Sequence, residues 1–255
     1  MPEAYERWLS PAVFRPFAVD LAERAARLHP SRVLELAAGT GVLTSELVEA
    51  LPEAEVIATD LNGSMVEFGS GVVPGASWQQ ADALDLQFED DEFDLVVCQF
   101  GVMFFPDKPA AFREAGRVLR PDGRMLFNTW ATIDTHGFAA PLAAGIERAF
   151  PDDPPTFMVA VPHGYPDVEQ VTADLEAGGL TRVSAETVTL EGRAASAADI
   201  ATGFCTGTPL RMAIESRGDL ARSTAVISDE MTQLLGAGPI TAQMTAYVVE
   251  AMPST

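Results

Sequence analysis

The stretch that decides the fold is Val33-Leu34-Glu35-Leu36-Ala37-Ala38-Gly39-Thr40-Gly41-Val42-Leu43. It begins as a β-rich apolar run, passes through a turn of small residues, and ends in the first residues of a helix. Small side chains between Ala37 and Gly41 let the backbone approach a ligand closely, and the helix N-terminus beyond offers free N–H groups. Such a turn also occurs for packing alone, so by itself it leaves a nucleotide site and a structural turn both open.

Short β-rich runs alternate with helical segments on either side of this turn, from Arg32 to about Asn128. The pattern predicts buried strands at Arg32–Ala37, Glu55–Thr59, Ala76–Gln80, Phe93–Cys98 and Arg124–Thr129. It predicts helices at Phe17–Leu28, Leu43–Leu51, Ser64–Ser70 and Ala110–Leu119, with a turn at Pro121-Asp122-Gly123. Alternation at this spacing requires a parallel sheet with right-handed crossovers and helices on both faces.

The regular alternation stops after Trp130. The remaining pattern predicts helices at Gly137–Phe150 and Asp167–Ala177 and over most of Ala195–Leu235, strands at Leu180–Glu191 and Thr241–Ala251, and irregular chain at Pro151–Pro166. We therefore predict one domain over residues 1–255: N-terminal helices or a lid (1–30), a cofactor-binding core (31–130), and helical cap insertions with the last two strands (131–255).

Acidic residues end the second and third predicted strands. Asp60 lies nineteen residues after Gly41, where a carboxylate can accept both ribose hydroxyls of an adenine nucleoside. Asp82, followed by Ala83, is placed to accept from the adenine amino group. Because the carboxyl ends of parallel strands share one edge of the sheet, these groups and the Gly-rich turn should lie together.

Two features distinguish between possible nucleotide cofactors. A dinucleotide pyrophosphate favours G-x-G-x-x-G, whereas Gly39-Thr40-Gly41 is followed by Val42-Leu43-Thr44, without a third glycine. Glu35 lies just before the turn, where its carboxylate would repel a pyrophosphate but attract a cofactor that carries an ammonium and a sulfonium.

Residues 33–43 resemble motif I of the class I (Rossmann-like) S-adenosylmethionine-dependent methyltransferases, and Asp60 and Asp82-Ala83 resemble the motifs that follow it. Phe93–Phe100 and Leu119–Arg124 resemble the fourth strand and the helix–fifth strand junction of the small-molecule branch. The resemblance covers about residues 30–130, with Ala37 standing where the family usually has glycine. It implies a doubly wound, seven-stranded, mostly parallel sheet whose last strand is antiparallel.

The resemblance also assigns residues to the cofactor, S-adenosyl-L-methionine. Ala37, Gly39 and Gly41 would surround its methionine part, Asp60 would hold the ribose, and Gln99 would lie beside the sulfonium. Leu61 and Met65 would contact the adenine ring, whose amino group would donate to Asp82 with help from the Ala83 backbone; Glu35 would order the turn.

The acceptor should lie over strands four and five. Large apolar residues near these strand ends predict a pocket for a small apolar or aromatic molecule: Phe100, Met103, Phe104, Phe105 and Trp130. Four aromatic residues ahead of the first strand predict a lid over the cofactor: Tyr5, Trp8, Phe14 and Phe17. Each of these residues is also compatible with ordinary core packing.

Methyl transfer depends mainly on positioning, and a general base helps when the acceptor carries a proton. His136, six residues beyond Trp130, is the best candidate for that base, although histidines with this sequence context are more often surface or structural residues. His163 and His29 have weaker claims, and no His, Asp or Glu cluster has metal-ligand spacing, so we predict no metal.

Composition limits the partners. The net charge of −21, with Lys108 as the single lysine, argues against nucleic acid. No run reaches the roughly 18 apolar residues of a membrane span, and charged residues interrupt the N-terminus, so we expect a cytoplasmic protein, monomeric or homodimeric. Cys98 and Cys205 are expected to be reduced and structural.

Three functions remain open from the sequence. The main one is methyl transfer from S-adenosylmethionine to a small molecule. The second is a nucleotide-dependent oxidoreductase, which the missing third glycine and Glu35 disfavour. The third is a relative of the fold that binds the cofactor but catalyses a rearrangement, or that only binds a metabolite or a protein partner.

Overall fold

The structure, a computed structural model, describes residues 2–254 and contains a seven-stranded sheet flanked by helices. The strands are β1 (Arg32–Glu35), β2 (Glu55–Asp60), β3 (Ser77–Gln80), β4 (Phe93–Gln99), β5 (Leu119–Trp130), β6 (Leu180–Ala194) and β7 (Ile240–Pro253). Their order in the sheet is β3-β2-β1-β4-β5-β7-β6. The first five pair in parallel, and β7 runs antiparallel to β5. The predicted fold class is confirmed.

The helices follow the predicted segments with shifts of a few residues. They are α1 (Pro2–Ala4), α2 (Arg15–Arg27), α3 (Val42–Ala50), α4 (Gly63–Val72), α5 (Lys108–Val118), α6 (Ala139–Ala149), α7 (Phe157–Ala160), α8 (Val168–Ala177), α9 (Ala197–Gly207), α10 (Leu210–Glu215) and α11 (Leu220–Leu235). Residues Tyr5–Phe14 form a π-helical segment that contains Pro11. The short helix α7 lies inside the stretch that the sequence predicts to be irregular.

The chain divides into two compact units, and each is described by itself. The sheet unit comprises Phe17–Trp130, Tyr165–Val188 and Ala246–Thr255. The helical unit comprises Met1–Pro16, Ala131–Gly164 and Thr189–Thr245. The single domain expected from the sequence stays a prediction.

The core of the sheet unit forms because α2 and α3 place their apolar faces on the central strands. Leu21 and Leu47, one from each helix, are fully buried in a cluster with Val33, Leu95 and Val97 of β1 and β4. Burial of side chains of this size stabilises the fold by roughly 1.5–3 kcal/mol each. These contacts fix the ends of β1 and β4, where the candidate site lies.

The fifth strand corrects one local prediction. Residues 121–123, predicted as a turn ahead of the strand, lie inside β5. Phe93 pairs with Leu119, whereas Leu95 pairs with Arg124, so a two-residue step on β4 faces a five-residue step on β5. The extra residues bulge out of the ladder, which accommodates Pro121 because a proline cannot donate to a neighbouring strand.

Two properties of residues 2–254 concern membranes and metals. Every helix in that range is too short or too polar to cross a bilayer. In the same range, no three side chains among His, Cys, Asp and Glu come together in an arrangement that could hold a metal ion.

Candidate functional site

The Gly-rich turn lies in the sheet unit, at the carboxyl end of β1. The predicted strand over Arg32–Ala37 ends early, at Glu35, because Ala37 adopts a φ of +54°. Gly39 (φ +58°) and Gly41 (φ +93°) are also left-handed, and α3 begins at the next residue, Val42. Glycine adopts the left-handed conformation without steric cost, whereas the Cβ of an alanine makes it strained. Ala37, which stands where the family usually has glycine, therefore lies in a strained backbone conformation.

Main-chain hydrogen bonds hold this turn against both neighbouring strands. The Leu36 N–H donates to the carbonyl oxygen of Val97 on β4 (2.8 Å), and the Ala38 N–H donates to that of Thr59 on β2 (2.9 Å). The turn is therefore a fixed part of the sheet edge rather than a loose connection.

Asp60 connects the turn to the end of β2. Its Oδ2 accepts the Gly39 N–H (2.9 Å), and its Oδ1 accepts the Asn62 N–H (2.8 Å). A carboxylate has about four acceptor positions, so these two bonds leave capacity on both oxygens for hydroxyl donors. An added Cβ on Gly39 would meet nothing within 4 Å, which shows open space beside the turn.

Glu35 is buried directly under the turn. It is 1% exposed, and its Oε2 accepts the Thr44 hydroxyl of α3 at 2.6 Å. Burial raises the pKa of Glu35 to about 8; the Thr44 hydrogen bond opposes the shift and the nearby Asp60 carboxylate adds to it. The side chain thus ties β1 to α3. That it orders the turn for the cofactor stays a prediction.

The end of β3 lies beside the end of β2. Asp60 and Gln80 are register partners, and the Ala81 N–H donates to the Asp60 carbonyl (3.1 Å). Asp82, exposed, accepts the Leu84 N–H through Oδ1 (2.9 Å). Leu61, which follows Asp60, is 66% exposed.

Aromatic side chains lie at the carboxyl ends of β4 and β5. The rings of Phe100 and Trp130 stack with centroids 3.7 Å apart and an interplanar angle of 7°. Phe17 of α2 meets both rings edge-on, at 5.3 and 5.1 Å. Phe100, Met103 and Trp130 are buried, whereas Phe104 is 46% exposed.

The site residues predicted in the sheet unit lie at or shortly after the carboxyl ends of β1 to β5, except Phe17, which lies in α2. These are Glu35, Ala37, Gly39, Gly41, Asp60, Leu61, Met65, Asp82, Ala83, Gln99, Phe17, Phe100, Met103, Phe104 and Trp130. Their ligand contacts stay predictions.

Three predicted lid residues lie in the helical unit. Tyr5 stacks on Phe14 with centroids 4.8 Å apart, and the Arg7 guanidinium lies 4.3 Å from the centre of the Trp8 ring. The prediction that Tyr5, Trp8 and Phe14 cover a cofactor remains a prediction.

The predicted base, His136, also lies in the helical unit, and its surroundings favour another role. It is 1% exposed, and its Nδ1 accepts the N–H groups of Phe138 (3.3 Å) and Ala139 (3.1 Å), where α6 begins. Burial, with His163 nearby, lowers the pKa of His136 to about 3. Nδ1, which would have to receive a proton from an acceptor, is engaged with the backbone, so these contacts describe a helix cap. Its role as a base stays a prediction.

Comparison with known proteins places the chain in a family. The sequence model of a protein family described as a methyltransferase domain matches residues 33–123. A ubiquinone/menaquinone biosynthesis C-methyltransferase, UbiE of Idiomarina loihiensis, is 30% identical over 174 residues, which are 62% of this chain and 69% of that protein.

The chain belongs to the class I S-adenosylmethionine-dependent methyltransferases.

Two further proteins define how far this likeness extends. UbiE of Proteus mirabilis is 42% identical to this methyltransferase over 102 residues, 37% of the chain and 41% of the relative's length. The YcgJ protein of Bacillus subtilis has the same fold, with a TM-score of 0.59 at 22% identity, over 94% of this chain and 99% of that one.

The cofactor of this family is S-adenosyl-L-methionine, and the residues present fit it. Open space beside Gly39 leaves room for a ligand close to the main chain of the turn. The Asp60 carboxylate keeps acceptor capacity for ribose hydroxyls, and the exposed Leu61 side chain offers an apolar surface for a purine ring. The expected cofactor is confirmed.

Sequence reasoning missed one polar residue at this edge, Asn128 of β5. Its side chain is fully buried, and its Oδ1 accepts the Phe100 N–H at 2.9 Å. The available signal in the sequence was an asparagine directly after the apolar run Met125-Leu126-Phe127 and directly before Thr129 and Trp130.

Proposed function

We propose that this protein transfers the methyl group of S-adenosylmethionine to a small apolar or aromatic molecule. The observation that carries the proposal is the bond between Asp60 and Gly39, which joins the family's Gly-rich turn to the acid that follows it. That bond holds the turn against the end of β2, and a turn held in one geometry favours catalysis by positioning.

When bound, the cofactor supplies a methyl group that is attached to a positively charged sulfur. The acceptor's electron pair forms the new bond to the methyl carbon, and the electron pair of the broken C–S bond stays on sulfur, which becomes a neutral thioether. The protein's task is to hold the acceptor in line with that bond, which can lower the barrier by about 7–11 kcal/mol. Glu35 and Asp60 stabilise a cationic ligand by their negative potential, Glu35 to the extent that it is ionised.

The acceptor class is supported by the aromatic residues at the ends of β4 and β5. Phe104 is the exposed member of this group, and the rings of Phe100 and Trp130 stack on each other as a buried apolar pair. The UbiE relatives are named as C-methyltransferases of ubiquinone and menaquinone biosynthesis, so a carbon atom of an electron-rich aromatic ring is the first acceptor to test. The net charge of −21 favours a small molecule over nucleic acid.

The test has two stages. Calorimetric titration with S-adenosylhomocysteine and, separately, with NADH should show saturable binding of the first and none of the second. Incubation with methyl-labelled cofactor and a panel of hydroquinones, phenols and a metabolite extract should then give a product heavier by one methyl group. Saturable NADH binding without S-adenosylhomocysteine binding would establish the oxidoreductase alternative. Cofactor binding with an unmethylated, isomerised product would establish the rearrangement.

A further inference from the structure

Asn128 is buried in the sheet with half of its side-chain amide unpaired. The residue is 0% exposed, and its Oδ1 accepts the Phe100 N–H, while Nδ2 has no hydrogen-bond partner among residues 2–254. A buried donor without a partner destabilises the fold, because it loses its hydrogen bonds to water and gains none in return. A leucine of similar size would avoid that cost, so packing alone does not explain an asparagine here.

The accepted bond stabilises an unusual backbone conformation. Phe100 has a φ of +50°, in the left-handed region that a phenylalanine rarely adopts. Such strain persists only where surrounding contacts impose it. Asn128 is the register partner of Gln99, so its side chain lies across from the last residue of β4 and meets the next N–H along that chain.

The bend at Phe100 determines where several site residues lie. It ends β4 at Gln99 and directs the Phe100 ring onto Trp130, two residues after Asn128 on β5. It also begins the segment that carries Gly101, whose N–H donates to Cys98 Sγ, and the buried Met103. The Asn128 amide oxygen therefore bonds the residue at which β4 ends and the next segment begins. In the function proposed above, β4 faces the cofactor and that segment faces the acceptor.

We propose that Asn128 is a positioning residue of the methyl-transfer site: its Oδ1 holds the bend at Phe100 and so places Gln99 and the Phe100–Trp130 pair beside the cofactor. This inference rests on the function proposed above. It assigns the role to the amide oxygen and not to Nδ2, a distinction that substitutions can test.

The decisive comparison is Asn128→Asp against Asn128→Leu in the full-length protein. Both replacements have the same number and branching of non-hydrogen side-chain atoms as asparagine, but only aspartate keeps an oxygen that can accept the Phe100 N–H. Two measurements are made on each folded variant: the calorimetric Kd for S-adenosylhomocysteine, and the hydrogen-exchange rate of the Phe100 amide by NMR.

We expect Asn128→Asp to keep the Phe100 amide protected and the Kd within about threefold of the wild type. Asn128→Leu should raise the exchange rate of that amide at least tenfold and weaken S-adenosylhomocysteine binding at least fivefold, while circular dichroism shows an intact fold. If Asn128→Leu does not fold, Asn128→Ser replaces it, because the shorter hydroxyl cannot span the distance that the amide spans. Ordinary loss of stability would speed exchange at many core amides together, not at Phe100 selectively.

The proposal is overturned if the variant without the oxygen binds S-adenosylhomocysteine as the wild type does, or if Asn128→Asp loses binding to the same extent. Failure of the wild type to bind S-adenosylhomocysteine would instead reject the proposed function. The two failures are therefore distinguishable.

Discussion

The Asp60 carboxylate accepts the Gly39 N–H across 2.9 Å, so the acid at the end of β2 fixes a left-handed residue in the turn that follows β1. The two residues are 21 positions apart and belong to different strand–helix units. Because β1 and β2 are parallel neighbours, their carboxyl ends meet and the bond can form without distorting either strand. This contact orders the turn and leaves acceptor capacity on the Asp60 carboxylate, which we propose that the ribose of the cofactor uses.

Replacing Asp60 by alanine should weaken S-adenosylmethionine or S-adenosylhomocysteine binding at least tenfold. The variant loses the expected ribose contact and the bond that orders Gly39, and a tenfold loss corresponds to about 1.4 kcal/mol. Isothermal titration calorimetry measures the change. Glu53→Ala is the matched control, since it removes one exposed acid ahead of β2, at the amino end of that strand. If Asp60→Ala and Glu53→Ala bind S-adenosylhomocysteine with equal affinity, Asp60 does not contribute to the cofactor site.

The raised pKa of Glu35 predicts a pH-dependent stability. Between the ordinary value of 4.5 and the folded value of about 8, the folded chain binds the proton and the unfolded chain releases it. The contribution of Glu35 to the free energy of unfolding is therefore complete below pH 4.5 and falls as the pH rises to 8, by at most about 1.4 kcal/mol per unit.

Glu35→Gln should remove this dependence. We expect the variant to match the wild type at pH 5 and to exceed it in Tm at pH 8.5, measured by thermal denaturation in both buffers. Thr44→Val is a useful companion, because it deletes the hydroxyl that bonds Glu35 and leaves the carboxyl in place. Parallel pH profiles for the wild type and Glu35→Gln would contradict the shifted pKa.

Ala37 and Gly101 lie against each other, in the segments that follow β1 and β4, and the pair predicts a coupled effect on stability. An added Cβ on Gly101 would lie 2.7 Å from the Ala37 Cβ and 2.6 Å from Cys98 Sγ. Gly101→Ala should therefore lower the free energy of unfolding by about 1–3 kcal/mol. Adding Ala37→Gly should recover part of the loss, since it removes one of the two clashing groups.

The double-mutant cycle for this pair is read by chemical denaturation, with an expected coupling of roughly 0.5–3 kcal/mol. Gly71→Ala serves as the control, because its Cβ meets nothing within 4 Å and lies in α4. Strict additivity of Ala37→Gly and Gly101→Ala would show that the two residues do not contact each other.

His136 can be tested as a helix cap against its predicted role as a base. Alanine removes the acceptor for the Phe138 and Ala139 N–H groups and should cost about 0.5–2 kcal/mol of stability, whereas asparagine can replace it as a cap. We expect His136→Asn to keep both Tm and turnover close to the wild type. If a stable His136→Asn variant loses turnover while its cofactor affinity is unchanged, His136 acts as the general base and not only as a helix cap.

The histidine also predicts a pH effect. Since its folded pKa is lowered from 6.5 to about 3, the unfolded chain takes up the proton first, and stability falls as the pH drops from 6.5 toward 3. The difference in Tm between the wild type and His136→Asn, followed over that range, measures this contribution. A difference that stays constant with pH would contradict it.

The sequence by itself determined the parallel sheet, the position of the Gly-rich turn and the acids that follow β2 and β3. These features are local: the alternation of β-rich and helical runs, glycine at left-handed positions, and spacing along the chain are all readable without knowing the neighbours. The parallel topology then brings the strand ends to one edge, so Asp60 could be placed beside Gly39 from the sequence.

Only the tertiary structure revealed the contacts of Asn128, Gly101 and His136. The bond from Phe100 to Asn128 depends on the register between β4 and β5, and the bulge at residues 120–123 shifts that register in a way that no local pattern shows. The opposition of Ala37 and Gly101 depends on how the turns after β1 and β4 pack, and the cap formed by His136 depends on where α6 begins. Contacts between distant segments are set by packing and register, which a single sequence encodes only through the folded chain.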